Sequence, residues 1–103
     1  MELQMTYSNE IKSLVSRLRH PSIMQVLRSR AILHPTKSDC IYIEMGENAD
    51  AQITAYSFDG DEVIYSVELY ADDVYGETKQ VVSWTTTDWK EVRSKIIELK
   101  GLV

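Results

Sequence analysis

Apolar residues in the first third of the chain recur at helical spacing. Ile11, Leu14, Val15 and Leu18 fall at i, i+3, i+4 and i+7, the single stripe of an amphipathic helix. Ser8 is placed to cap its N-terminus, and Glu10 suits the positive end of the helix dipole. Lys12, Ser16 and Arg19 line one flank of the stripe and Arg17 the other. His20-Pro21 closes this helix, because a residue before proline is disfavoured in the right-handed helical region. Pro21 is equally suited to the first turn of a second helix. There Ile23, Met24, Val26, Leu27 and Ala31 form an apolar arc, which Arg30 interrupts if the helix runs so far. Two readings stay open for residues 30–34: a last helical turn, or an extended segment entering a hairpin through Pro35-Thr36-Lys37-Ser38.

From Asp39 the period changes to two. Ile41, Ile43 and Met45 alternate with Cys40, Tyr42 and Glu44 over a strand Asp39–Met45, and Gly46–Asp50 reads as a polar turn. Two further strands, Ala51–Phe58 and Asp61–Ala71, meet at Asp59-Gly60, a strong hairpin signal. A two-residue loop there would divide the apolar residues of the third strand between both faces. A three-residue loop, Phe58-Asp59-Gly60, gathers Ala51, Ile53, Ala55, Val63, Tyr65, Val67 and Leu69 on one face and gives Gly60 the left-handed position of a bulge. The other face then carries Gln52, Thr54, Tyr56, Glu62, Ile64, Ser66, Glu68 and Tyr70, joined by Tyr42 and Glu44. After a loop Asp72–Thr78, Lys79–Thr86 forms a fourth strand with Val82 and Trp84 pointing inward. Asp88-Trp89-Lys90-Glu91 opens a third helix in capping-box fashion, with Trp89, Val92, Ile96 and Leu99 as its buried stripe. Gly101 suits the C′ position, and Lys95 and Lys100 the negative helix end. The expected fold is α+β in the order α-α-β-β-β-β-α, a four-stranded antiparallel meander bracketed by helices. A chain of 103 residues suits one domain, 1–103.

Charge along the chain is more informative than overall composition. The net charge is −5, but its distribution is uneven: +4 over residues 1–37, −11 over 38–78 and +2 over 79–103. The central stretch holds every acidic residue from Asp39 to Glu77 and no Lys or Arg. An anionic total argues against nonspecific attraction to phosphate or anionic lipid. The one cysteine, Cys40, excludes an intramolecular disulfide, and the opening MELQMTYSNE lacks the basic start and apolar run of a secretory signal. No apolar run approaches the roughly 18 residues of a membrane span. A soluble cytoplasmic protein with no membrane partner is expected.

Candidate chemistry is sparse. Gly46, Gly60, Gly76 and Gly101 are too far apart to cradle a phosphate, and no G-x-S-x-G, S-x-x-K or H-E-x-x-H pattern occurs. Cys40 with His20 or His34 as base is the minimum pair for thiol chemistry, against the plainer reading of a small strand residue and two helix-end or turn histidines. Asp59, Asp61 and Glu62, or Asp72, Asp73 and Glu77, offer oxygen ligands for Ca²⁺, but neither group has EF-hand spacing, and turn chemistry accounts for Asp59. Lys12, Arg17, Arg19, Arg28, Arg30 and Lys37 on two short helices have the outline of a helix-turn-helix. No glycine marks the turn between them, and ion pairing within the fold is the simpler use of these bases. No cofactor, metal or catalytic residue is expected.

The strongest functional signal is the tyrosine-rich acidic face. Tyr42, Tyr56, Tyr70 and Ile64, edged by Glu44, Glu62 and Glu68 and continued by Asp72 and Asp73, combine interface-type aromatics with charge that steers association. The same tyrosines would be core if helices covered this second face. In size and charge the chain is similar to small inhibitors encoded by phages and mobile elements, some of which imitate the charge of DNA; the similarity is one of composition. The expected function is a non-catalytic protein-binding module, an inhibitor of a nucleic-acid-handling protein in its sharper form, engaging a basic surface. The alternatives are a nucleic-acid-binding regulator using the N-terminal helices and an enzyme using Cys40. A homodimer closed through the same face is a further expectation.

Overall fold

The computed structural model describes residues 7–58 and 62–103, Phe58 through its backbone alone. Three helices and five strands follow in the order α1 (Asn9–Leu18), α2 (Pro21–Leu27), β1 (Ile32–Leu33), β2 (Cys40–Gly46), β3 (Ala49–Phe58), β4 (Glu62–Asp72), β5 (Thr78–Thr86) and α3 (Trp89–Lys100). The strands form one antiparallel sheet in chain order, β1-β2-β3-β4-β5. The fold is therefore α+β as expected, with five strands instead of four.

The extra strand settles the open question at residues 30–34. Leu33 pairs with Ile41 and Ile32 with Tyr42, and the His34 N–H donates to the Cys40 carbonyl, so the segment is extended. Helix α2 ends earlier, at Leu27, with Arg28 in the left-handed region at φ 55°. That turn ejects Arg30 from the apolar arc, while Ala31 is buried as part of the chain leading to β1. Of the expected arc only Ile23 and Leu27 are buried within the helix; Val26 is exposed.

Each helix start follows from its cap. Ser8 Oγ accepts from the Ile11 N–H, and the His20 side chain accepts from the Ser22 N–H with Pro21 in the first turn of α2. Asp88 caps α3 through the Lys90 N–H. Glu91 does not complete the capping box. It accepts from the Thr86 hydroxyl, which in turn accepts from the Asp88 N–H, so a threonine takes the place of the expected reciprocal bond. Gly101 also departs from expectation. Its φ is −69°, and Gly101, Leu102 and Val103 donate to Glu98, Leu99 and Lys100, a 3₁₀-like closing turn that needs no left-handed residue. Lys100 donates to the Met45 carbonyl of the sheet instead of serving its own helix end.

The core lies on one side of the sheet. Ile11, Leu14, Val15 and Leu18 of α1, Ile23 and Leu27 of α2, and Val92, Ile96 and Leu99 of α3 pack against Ile41, Ile43, Met45, Ala51, Ile53, Ala55, Tyr65, Val67 and Leu69. Helix α1 lies against β1–β3 and α3 against β4 and β5, with α2 beside α3. Arg17 stacks on the Trp89 ring, its guanidinium carbon 4.1 Å from the ring centroid, and so joins α1 to the start of α3. Burying each large aliphatic here contributes about 1.5–3 kcal/mol, which fixes which face of the sheet the helices take.

Side-chain parity places Ala51–Tyr56 and Glu62–Tyr70 on the faces they take, but the pairing differs from expectation. Ala55 faces Tyr65 and Phe58 faces Glu62, two residues away from the register of a Phe58-Asp59-Gly60 loop. Residues 59–61 connect the strands, and the expected bulge at Gly60 lies outside the described residues. The turn before β3 is also tighter than expected. Gly46 pairs with Ala49, so Asp50 belongs to the strand.

Candidate binding face on the open side of the sheet

All described helices occupy one side, which leaves the other sheet face open. Register arranges that face in rows. Ile32, Tyr42, Gln52, Glu68 and Ser83 form one row across the five strands, and Glu44, Asp50, Tyr70 and Gln80 the next. On the other side of the first row run Cys40, Thr54, Ser66 and Thr85, then Tyr56 opposite Ile64, then Glu62.

These rows divide the expected patch in two. Tyr42, Glu44, Glu68 and Tyr70 come together at the β2–β3 turn end, with Asp72 beyond them. Tyr56, Ile64 and Glu62 sit toward the far end, across the belt of Thr54, Ser66 and Thr85. Six residues of strand separate the Tyr70 and Tyr56 levels, about 20 Å. A single aromatic cluster does not form. Asp73 leaves the face altogether: its Oδ1 accepts from the Tyr75 and Glu77 N–H groups, 2.8 and 3.0 Å, and its Oδ2 lies 3.2 Å from Lys79. The Glu77 backbone bond, helped by the Tyr75 backbone bond and the Lys79 side chain, holds its carboxyl below the usual value against desolvation in the other direction. It is a turn residue.

Two residues outside the expected patch belong to the face. Asp50 stands directly opposite Glu44, with Tyr70 on its other side. Ile32 sits beside Tyr42 and is 42% exposed. Strand alternation would have found Asp50 had the turn been given two residues, Glu47 and Asn48. The extended reading of residues 30–34 accommodates Ile32, but a two-residue strand has no alternation to assign its face.

The electrostatics of the near end are those of crowded acid. Glu44 and Asp50 are like charges on directly opposed positions, an arrangement that costs about 0.2–1 kcal/mol. Among the described residues no Lys or Arg forms an ion pair with Glu44, Asp50, Glu62, Glu68 or Asp72. Gln52 Nε2 donates to Asp50 at 3.3 Å, and the Tyr70 hydroxyl donates to Glu68. That bond, followed by desolvation and the charges of Glu68 and Asp50, pushes the Tyr70 phenol up to about 12. Desolvation, with Asp50 and Glu44, also raises Tyr42. Bases do approach without pairing to these carboxylates: Lys37 Nζ reaches Gln52 Oε1 at 3.2 Å, and Arg28 and Lys100 line a neighbouring concavity with Glu44 and Glu47. A concavity at this end is lined by Tyr42, Glu44, Glu47, Asp50, Asp72 and Thr78, with Thr78 donating to Asp72 at 2.6 Å.

The other candidates are placed less favourably. Cys40 lies on the open-face side yet is 2% exposed, its Sγ near the Ile41 carbonyl and Gln52. Burial pushes its thiol above the ordinary value, Asp39 and Glu68 adding to the effect, while Lys37 and a hydrogen bond to Thr54 oppose it. His20 Nδ1 is the α2 cap, and His34 Nδ1 accepts from the Thr36 N–H while its ring meets Tyr42 edge-on. A protonated, buried thiol is a poor nucleophile. Arg17 is stacked on Trp89 and Arg19 donates to the Ala31 carbonyl at 2.8 Å, so two of the six N-terminal bases serve the fold. No group of three His, Cys, Asp or Glu side chains among the described residues is arranged to hold a metal ion; Asp59 and Asp61 lie outside them. No described helix is long and apolar enough to cross a membrane.

No protein-family model, curated protein or solved structure matches the chain.

Proposed function

We propose that the protein is a non-catalytic binding module that takes a basic protein surface onto the open sheet face, centred on Tyr42, Glu44, Asp50, Glu68 and Tyr70. The observation that carries this reading is the Glu44–Asp50 pair: two carboxylates held opposite one another, with no described base bonded to either. A fold gains nothing in stability from that pairing, whereas a cationic partner would relieve it. The flanking tyrosines and Ile32 supply the apolar contact that charge alone lacks. Glu62 with Tyr56 and Ile64 forms a second, outlying contact.

In its finer form the partner is a nucleic-acid-handling protein and the module its inhibitor, because surfaces that bind phosphate backbones are lined by Lys and Arg. The test is capture from the native host by the immobilised protein, with a salt series and a Glu44→Lys, Asp50→Lys, Glu68→Lys variant. The expected result is a basic protein retained at low salt, released toward about 1 M salt where the Debye length falls to ~3 Å, and absent from the variant. Equal capture by the folded variant would overturn the proposal.

A further inference from the structure

The sheet ends on β5, and no described residue pairs with the outer edge of that strand. The opposite edge strand, β1, is 2 residues long, whereas β5 is 9. An edge of this length offers a row of backbone donors and acceptors to another strand. The bulge at Val81, the extra residue between the Gln80–Tyr70 and Val82–Leu69 pairs, interrupts the ladder near its start and leaves Val82–Thr86 regular.

The edge also differs from the rest of the sheet in charge. From Thr78 to Thr87 there is no acidic residue, and Lys79 is the single base. A second copy of this chain approaching the open face would set carboxylate against carboxylate. Along β5 it meets none.

We propose that two copies pair antiparallel through β5 about a two-fold axis at Ser83, making one continuous sheet. Such an axis stands perpendicular to the sheet and keeps the helices of both copies on one side. Val82 and Trp84, half-buried on the helix side, must therefore meet the same residues of the second copy. With Ser83 on the axis, Val82 of each copy lies opposite Trp84 of the other, a favourable aromatic and β-branched pair formed twice. Allowing for the extra residue at Val81, the same register brings Lys79 opposite Thr86 of the second copy, two residues before its Asp88. Beside the edge, a groove of about 290 Å³ is lined by Trp84, Glu91, Ser94, Lys95 and Glu98. Its helical wall carries acid, base and acid in turn, with Lys95 3.5 Å from Glu98 and 5.2 Å from the Trp84 ring. Val81, 56% exposed, and Trp84 would lose contact with water. A strand from another protein would satisfy the backbone equally, but nothing at this edge selects its side chains; the second copy is matched by symmetry.

The dimer is independent of the proposed partner site, since it leaves the open face uncovered. Sedimentation velocity over a concentration series tests it, together with Ser83→Lys, an exposed position where one substitution opposes two like charges across the axis. The expected result is a monomer–dimer equilibrium whose dissociation constant rises by about two- to fivefold in the variant. Ser83→Cys provides a second reading that needs no change in stability. It should cross-link on mild oxidation, because the two cysteines face each other, whereas Thr85→Cys should not, its copies lying about 13 Å apart along the strands. A monomer at every concentration, a dimer unaffected by Ser83→Lys, or cross-linking through Thr85→Cys in preference to Ser83→Cys would each overturn the proposal.

Discussion

At the scale of single residues, Glu44, Asp50 and Tyr70 carry the account. If Glu44 and Asp50 oppose each other without compensation, neutralising one should help the fold. Glu44→Gln, at an exposed position, is expected to raise stability by about 0.2–1 kcal/mol in urea unfolding while weakening partner capture. A destabilised Glu44→Gln would mean that the carboxylate serves the fold after all. Tyr70 has a consequence at high pH. Its folded value, about 12, lies above the ordinary value of about 10, so the folded protein holds this proton more tightly than the unfolded chain does. The resulting stabilisation is complete below about pH 10 and is lost as pH rises toward about 12. Titration of phenolate absorbance should show a last tyrosine ionising toward pH 12, and Tyr70→Phe should remove that step. These two effects were not equally legible in the sequence. Parity alone places Tyr70 and Glu68 on one face, two residues apart on the same strand. Asp50 was hidden because a glycine-led polar run reads as a turn until the strand pairing is known.

At the scale of elements, the helices were the most legible, because burial of a regular stripe dominates their placement. Ile11, Leu14, Val15 and Leu18 are all buried, as are Val92, Ile96 and Leu99. What escaped has a physical reason in each case. The β3–β4 pairing is two residues from expectation because a shift of two preserves every side chain's face, so patterning cannot distinguish the two registers. Strand β1 is too short for any periodicity and exists through its bonds to β2. The end of α2 is a backbone event: Arg28 takes a conformation that normally favours glycine. Arg28→Gly is therefore expected to stabilise the protein by about 0.5–1 kcal/mol, read as a raised thermal midpoint, since the left-handed conformation costs a non-glycine residue about 1–2 kcal/mol and glycine's greater unfolded entropy offsets part of the gain. A lowered midpoint would show that the arginine side chain contributes more than its backbone costs.

At the scale of the whole molecule, segregation of charge along the chain becomes segregation between surfaces. The +4 stretch forms two of the helices that cover the core, and most of the −11 stretch forms β2–β4 with the turns that join them. The separation is incomplete: Lys37 leans onto the face beside Gln52, and Asp73 is balanced by Lys79. The tyrosines that might have been core are instead divided between two ends of an open sheet, which moves the centre of the proposed contact to Tyr42, Asp50 and Tyr70. Carbodiimide labelling of carboxylates, compared by mass spectrometry between the free protein and its complex with the captured partner, tests that centre most directly. The account predicts that Glu44, Asp50 and Glu68 become protected on binding while Glu10, Glu91 and Glu98 label as before. Protection of those helical carboxylates, with the open face labelled as in the free protein, would contradict it.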